Sequence, residues 1–362
     1  MTTIGVIGAG QLGQMLGIAG RKMSLDFVFL DPSDTPPAAA IGPVLKYPFD
    51  SEEGLAKLVA RSDIITYEFE NVAVAAIEKI ATSTTVYPPA DALRHAQDRL
   101  VEKTLFTTLD IPVAGFRAID CVEDLRSACV DLGLPLVLKT RRFGYDGKGQ
   151  SIVKVEADLE PAFAELGGSD LIAEQWIAFD REVSAIAARN VSGDVVFYPL
   201  TENLHRQGIL SVSKAPVAAN ELTDTANRYL ASLLTHLDYV GVLALELFVT
   251  GDRLTANEIA PRVHNSGHWT IEGANTSQFE NHLRAILDMP LGNADARGHA
   301  GMINLLGEMP GEPVAFQADD CFLHDYAKEP RPGRKLGHVT VVADNAAALE
   351  EQLKRLGKLL II

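Results

Sequence analysis

The sequence predicts an α/β (α+β) protein of two or three domains, and three observations predict it. Over the first ninety or so residues, short apolar runs alternate with helical patterns. In the middle of the chain a strand ending in lysine runs into a glycine-rich loop and a second strand. Beyond Pro290 the chain reads as mostly β with one helix. At 362 residues it has room for two or three units of about 100–200 residues each.

The apolar runs Ile4–Ile7, Phe27–Leu30 and Ile64–Tyr67 are strands, with helices near Gln11–Lys22, Glu52–Ala60 and Val74–Ala81 between and after them. That rhythm is an open parallel sheet, ended by Pro88 and Pro89. A helix starts near Asp98 and runs through Arg99, Lys103 and Phe106 to Ile111-Pro112. Strand Leu136–Lys139, the loop Gly144–Gln150 and strand Ser151–Val155 form a β-loop-β flap. Strands follow at Leu171–Gln175, Glu182–Arg189 and Val195–Pro199. After a helix over about Asp224–Leu237 comes a hairpin, Val242–Thr250 with Arg253–Ile259. The helix Ser277–Asp288 closes this unit. Gly, Pro and Asp cluster at Pro290–Gly298 and Gly307–Pro313, as boundaries do, and a last helix covers Ala346–Leu356.

Composition sets bounds on function. Hydrophobic residues make up 47% and charged residues 22%, ordinary for a protein with a real core. The net charge of −16 argues against an electrostatic grip on a nucleic-acid backbone or an anionic membrane. No apolar stretch approaches the ~20 residues of a membrane span, and the start lacks the flank and length of a signal peptide. Cys121, Cys129 and Cys321 form no CxxC pair and read as reduced thiols of a cytoplasmic protein.

Chemistry is signalled at four places. Gly8-Ala9-Gly10-Gln11-Leu12-Gly13 follows a strand and opens a helix, so its amides can cradle an anion; the same glycines also serve close helix–strand packing. Asp31 ends the second strand, where a dinucleotide fold places its ribose-binding acid. Lys139 ends an apolar strand with Arg141, Arg142 and Lys148 close by, and three glycines let the loop fold over a phosphate chain. A lysine in such a strand is costly unless an anion neutralises it. Glu174-Gln175-Trp176-Ile177, with Glu182 following, can offer backbone groups to an adenine edge and a carboxylate to ribose. Glu246 lies inside an apolar strand and Asn257-Glu258 in the facing one; two carboxylates converging on magnesium fit that placement, and pairing with Arg262 is the structural alternative. Register decides between them. A regular two-residue turn at Gly251-Asp252 pairs Glu246 with Asn257 and sends Glu258 to the other face, so a shared metal requires an odd-length loop or a bulge.

In this order the lysine strand, glycine flap, Glu-x-x-Ile linker and Glu…Asn-Glu hairpin resemble the ATP-grasp superfamily. Within it, Gly-x-Gly-Gln-Leu-Gly (8–13), Tyr-Glu-Phe-Glu-Asn-Val (67–72), Gly-Tyr-Asp-Gly-Lys-Gly-Gln (144–150), His-Asn-Ser-Gly-His (264–268) and Arg-Pro-Gly-Arg-Lys-Leu-Gly-His (331–338) resemble the 5-(carboxyamino)imidazole ribonucleotide synthase family. The resemblance implies an ATP-grasp fold with an N-terminal Rossmann-like (pre-ATP-grasp) domain over 1–97. A two-lobed ATP-grasp domain over 98–290 and a small C-terminal β-rich domain over 291–362 complete it. It implies ATP-dependent carboxylation of 5-aminoimidazole ribonucleotide with bicarbonate, through carboxyphosphate, in purine biosynthesis, with Mg2+ and a homodimer.

Carried onto this chain, ATP contacts fall on Arg99, Lys139, Gly144, Tyr145, Asp146, Gly147, Lys148, Gly149, Gln150, Glu174, Gln175, Trp176, Ile177, Glu182, His205, Asn257 and Glu258. The metal falls on Glu246 and Glu258, and bicarbonate on Arg262 and His264. The ribonucleotide falls on the Gln11 and Leu12 amides, Glu68, Tyr145, Asp146, Lys328, Arg334 and Lys335, with its 5′-phosphate on the first glycine loop. Arg262, His264, Tyr145, Asp146 and Lys335 are the catalytic candidates. The chain departs from the family pattern at Ala327, where glycine is usual, and in a short Gly251-Asp252 hairpin. A formate-using glycinamide ribonucleotide transformylase is the nearest alternative. A nicotinamide dehydrogenase leaves the second glycine loop and both strand glutamates without a task, and a silent nucleotide-binding module leaves Glu246, Glu258, Arg262 and Lys335 without one.

Overall fold

The first sheet of the computed structural model is parallel throughout, in the order Val44–Leu45, Asp26–Leu30, Thr3–Ile7, Ile64–Tyr67, Thr85–Val86. Its central strands are apolar on both faces because helices cover both. The structure describes residues 1–144, 147–218, 221–311 and 320–360.

One of those helices, Gln11–Lys22, buries Leu12, Met15 and Leu16 in the same core as Phe279, Leu283 and Ile286 of the helix Gln278–Ile286. The first sheet is thereby packed onto the body of the molecule. His282 pins the seam: its Nε2 lies 2.9 Å from Thr66 Oγ1, and its Nδ1 accepts from Val242 N–H at 3.1 Å.

A four-stranded antiparallel sheet, ordered Phe116–Ile119, Leu171–Gln175, Leu136–Thr140, Gln150–Val153, forms a separate lobe under the helices Val122–Leu132 and Leu159–Glu165. Lys139 pairs with Gln150, so the glycine loop does join two hairpin strands.

Among the described residues the largest sheet has nine strands. From the edge strand Arg253–Ala260 it passes through Gly241–Thr250, Arg181–Arg189, Thr201–Arg206, Ile209–Ala215, His299–Leu306 and Lys335–Ala343 to Cys321–Asp325, with Val195–Phe197 beside Arg181–Arg189. The strands beyond residue 291 therefore continue this sheet through Ala300 opposite Ala215, and the last helix, Ala346–Leu360, covers them.

Two strands of this sheet, Thr201–Arg206 and Ile209–Ala215, carry little apolar periodicity, which hides them in the sequence. Their buried polar groups satisfy one another: Asn203 Nδ2 donates to Ser184 Oγ at 2.6 Å, and Ser213 Oγ donates to Asn203 Oδ1 at 2.7 Å. The short amphipathic helices Ala90–Ala96, Val122–Leu132 and Leu159–Glu165 and the half-exposed strand Phe116–Ile119 are likewise findings of the structure.

Candidate active site

The hairpin register places the two strand glutamates. The turn at Gly251-Asp252 is the regular two-residue kind, pairing Thr250 with Arg253. Register then shifts by one: Leu247 opposes Ala256, and Glu246 opposes Glu258, leaving Asn257 as the extra residue of a bulge. Core membership records the same parity change, because Leu254 and Ala256 share one core with Ile259, three residues on instead of two. Both carboxylates now share the face turned into a cleft of about 770 Å³.

Cations gather on that face. Arg99 Nη1 donates to Glu258 Oε2 at 2.9 Å, and Arg99 Nη2 reaches Gly144 O at 3.4 Å. Lys139 Nζ donates to Glu174 Oε2 at 2.9 Å, with Lys103 Nζ 3.4 Å from the same oxygen. Glu174 Oε2 therefore lies between two lysines. Burial raises its pKa, but Lys103 and Lys139 together overcome this and bring it to about 2. Burial lowers the Lys139 pKa, with Glu174 opposing.

Burial, then the charge of Glu258, pushes Glu246 up to about 7. Burial also acts against Glu258, yet Arg99 holds it below the usual carboxylate value. Glu246, largely enclosed, and Glu258, whose side chain is 41% exposed beside Arg99, oppose each other across the ladder, and such a pair has the chemistry of a divalent-cation site. Among the described residues no group of three or more His, Cys, Asp or Glu side chains is disposed to hold a metal, so Glu246 and Glu258 would be two protein ligands of a site that needs others.

Arg262 follows directly in sequence, and the structure corrects its alternative role. It pairs with Glu70 through Nε, not with the strand glutamates. Burial raises Glu70, but the Arg262 guanidinium prevails and brings it to about 2. His264 is fixed by Gln278, whose Oε1 accepts from His264 N–H at 2.9 Å and whose Nε2 donates to His264 O at 2.6 Å. Nδ1 of His264 faces Ser266, accepting from its N–H at 3.4 Å and lying 2.8 Å from its Oγ, so Nε2 carries the proton and points to Glu246 Oε1 at 3.3 Å. Burial first, then Arg262 and Lys335, lowers the His264 pKa to about 3, and the ring is neutral. His205 Nδ1 lies 2.9 Å from Glu182 Oε2; burial lowers its pKa, but Glu182 prevails and raises it above the ordinary imidazole value.

The Gly10 and Gly13 amides of the first glycine loop are taken from within the chain, which leaves those of Gln11 and Leu12 for a ligand. Glu68 accepts from Gly10 N–H and, at 2.6 Å, from Gly13 N–H. A Cβ on Gly8 would meet Glu68 Cγ at 2.4 Å and one on Gly10 would meet Glu68 Oε1 at 2.7 Å, which explains both glycines. Asp31 accepts from Ala9 N–H at 2.9 Å and Ser33 N–H at 2.8 Å, so it is not a ribose ligand in this fold. The Gln11 and Leu12 amides belong to the first turn, where N–H groups have no intrahelical acceptor. Lys328 donates to Gln11 Oε1 beside them, and burial followed by Arg334 brings its pKa down to about 8.

Of the sequence-predicted residues, Gln11, Leu12, Glu68, Arg99, Lys139, Gly144, Gly147, Lys148, Gln150, Glu174, Gln175, Trp176, Ile177, Glu182, His205, Glu246, Asn257, Glu258, Arg262, His264 and Lys335 all line the one cleft. Gly149 sits in the flap hairpin, its carbonyl accepting from Thr140 N–H at 2.8 Å. Arg334 donates to Glu329 O at 3.0 Å near Lys328. Tyr145 and Asp146 lie outside the described residues. Ala327 adopts φ +53, the left-handed turn that glycine would favour, steadied by Asp325 Oδ1 accepting its N–H at 2.7 Å. Sequence reasoning gave no role to Glu70, Glu102 and Lys103, and placed Asn265 only within the quoted 264–268 motif. The first is in the quoted 67–72 motif two residues from Glu68, and Glu102 and Lys103 follow Arg99 at i+3 and i+4. Asn265 lines the cleft with both ends of its buried amide unpartnered.

A strand lysine under a glycine flap, an inter-lobe cleft and opposed carboxylates on a bulged hairpin define an ATP-grasp ligase. Comparisons agree in every region. The ATP-grasp domain family matches residues 104–279, the ribonucleotide synthetase preATP-grasp domain matches 1–97, and the phosphoribosylaminoimidazole carboxylase C-terminal domain matches 300–352. The N5-carboxyaminoimidazole ribonucleotide synthase of Pseudomonas aeruginosa is 45% identical over 97% of both chains. The crystal structure of N5-carboxyaminoimidazole ribonucleotide synthetase from Thermus thermophilus superposes with a TM-score of 0.94, at 49% identity over 98% of each chain. That of the Aspergillus clavatus synthase, in complex with ADP and 5-aminoimidazole ribonucleotide, superposes at 0.91 with 29% identity over 99% of this chain and 98% of that one. The chain belongs to the N5-carboxyaminoimidazole ribonucleotide synthase family, and the transformylase and dehydrogenase readings fall away.

Proposed function

We infer that this enzyme joins bicarbonate to 5-aminoimidazole ribonucleotide with ATP, releasing N5-carboxyaminoimidazole ribonucleotide, ADP and phosphate. The observation that carries this reading is the opposed pair Glu246 and Glu258, with Arg99 and Lys139 on one side and Arg262 and His264 on the other. A bicarbonate oxygen attacks the γ-phosphorus of ATP and the bond to ADP breaks, giving carboxyphosphate. The exocyclic amine of the ribonucleotide then attacks the carboxyl carbon. The C–O bond to phosphate breaks, and the amine proton goes to the departing phosphate, the strongest base formed.

Lys139, Lys148 and the flap backbone hold the phosphate chain, while Gln175, Trp176, Ile177 and Glu182 hold adenosine. Arg262 binds bicarbonate, and neutral His264 donates from Nε2 to the same anion. Glu246 and Glu258 would hold magnesium, which supplies charge neutralisation along the phosphates. The ribonucleotide phosphate takes the Gln11 and Leu12 amides with Lys328, Arg334 and Lys335; Glu68 faces its ribose, and Tyr145 and Asp146 are assigned to the same substrate by the family resemblance. Exclusion of water by a closed flap protects carboxyphosphate from hydrolysis.

The same reading divides the chain into working units 1–97, 98–290 and 291–362, and assigns it to the cytoplasm as a homodimer. Among the described residues no helix is long and apolar enough to cross a membrane, and all three cysteines are unpaired, as suits a reducing compartment. Light scattering at micromolar protein tests the dimer. The test of function is ADP release, expected only with ribonucleotide and bicarbonate together. Release on formate and glycinamide ribonucleotide instead would overturn the assignment.

A further inference from the structure

The strand Arg253–Ala260 is an edge of the nine-stranded sheet, so only one of its sides is paired to another strand along its length. A bulge in an edge strand has no second neighbour to hold its register. Without the Asn257 bulge, Glu246 would face Asn257, and Glu258 would turn to the side of Leu245 and Leu247, both in the apolar core.

The outer side of this strand is answered by the helix Arg99–Thr108 and the loop after it. Pro112 O accepts from Ala256 N–H at 2.7 Å. Lys103 Nζ donates to Asn257 O at 2.7 Å, and Glu102 Oε1 accepts from Ile259 N–H at 2.6 Å. Two neighbouring side chains of one helix turn therefore take backbone groups immediately before and after Glu258. Glu102 and Lys103 are 2% and 1% exposed, so these bonds form where water does not compete.

We propose that Glu102 is a positioning residue for Glu258, with Lys103 its counterpart, and that together they lock the bulge that keeps Glu258 on the Glu246 face. The inference rests on the reading of Glu246 and Glu258 as the metal–nucleotide pair. Burial, then the charge of Glu258, pushes the Glu102 carboxyl up to about 8, so its bond to Ile259 does not depend on a charge. Glutamine can make the same bond; leucine cannot.

The test measures Mn2+ binding with ADP to the full chain by electron paramagnetic resonance of free Mn2+, for wild type, Glu102→Gln, Glu102→Leu and Glu258→Gln. Glu102→Leu is expected to weaken Mn2+–ADP about tenfold or more, the scale of outer-shell losses at metal sites. Glu102→Gln should recover most of that loss, and near-UV circular dichroism should match wild type in both. Glu258→Gln should lose the metal–nucleotide altogether; if it binds like wild type, the metal reading fails. If Glu258→Gln loses binding while Glu102→Leu keeps it, the positioning role alone is overturned. Should Glu102→Leu not fold, amide exchange in the wild-type chain decides. Ile259 N–H is expected to be as protected as the inner strands, and exchange at the rate of exposed edge amides overturns the proposal.

Discussion

Glu258 is held by Arg99 from one side and faces Glu246 from the other, and neither contact packs it into the apolar core. Removing its charge should therefore leave the fold standing and remove the chemistry. Glu258→Gln is expected to lower kcat by a factor of 100 or more, on the order of a lost electrostatic group at a phosphoryl-transfer centre. Its melting temperature should stay within a few degrees of wild type. Steady-state kinetics with calorimetry checks both, and a variant that keeps wild-type kcat would remove Glu258 from the mechanism. His264 is a different kind of residue. With its pKa at about 3 it does not titrate in the working range, so it serves as a fixed donor and not as an acid–base switch.

At the scale of elements, the first glycine loop and its helix are built around Glu68. Gly10→Ala puts a Cβ 2.7 Å from Glu68 Oε1, where the carboxylate must give up its bonds to Gly10 and Gly13 N–H. A loss of about 1–3 kcal/mol is expected from such overpacking, read by urea unfolding. Unchanged stability would show that Glu68 moves aside freely. The same occupancy argues against a pyrophosphate on this loop: 5-aminoimidazole ribonucleotide should raise the melting temperature in a saturable way, and NADH should not. Saturable protection by NADH at micromolar concentration would reverse the loop's assignment.

The elements also show what a sequence discloses. Strands with long apolar runs, such as Gly241–Thr250, were legible from periodicity, and so was the need for a register shift between Glu246 and Glu258. The partners of the charged groups were not. Lys139 finds Glu174 on the neighbouring strand of its own sheet, and Arg262 finds Glu70 from a distant part of the chain, so only the fold reveals either pairing. Glu102 and Lys103 read as ordinary helix-surface charges until the edge strand they cap is known.

For the molecule as a whole, stability should pass through a maximum near pH 6–6.5. Four histidines, three of them buried and His264 partly so, stay neutral in the fold. Burial lowers His282 to about 4 from an ordinary 6.5, and His264 to about 3, while His268 and His338 are also well below the ordinary value. Below pH 6.5 the unfolded chain takes up protons that the folded chain refuses, so stability falls with pH. For His282 alone the full loss by pH 4 is about 3 kcal/mol, at 1.36 kcal/mol per pKa unit. Glu102, at about 8, and Glu246, at about 7, work the other way. Their folded forms hold protons that the unfolded chain has released, so acidification from pH 8 to about 4.5 stabilises through them. Glu68, which burial also raises, acts with them, and the three carboxyls offset part of the loss from four imidazoles over that range. Below pH 4.5 their help ends, and Glu70 and Glu174, at about 2, add to the loss because the unfolded carboxyls protonate first. Melting temperatures at pH 8, 6.5, 5 and 4 should therefore rise slightly, then fall, then fall more steeply. His282→Gln removes one titrating group from the seam between the first sheet and the strand Gly241–Thr250, and should flatten the descent between pH 6.5 and 4. A melting temperature that climbs steadily from pH 6.5 to 4 would mean that the carboxyls outweigh the histidines and that the buried imidazoles accept protons in place.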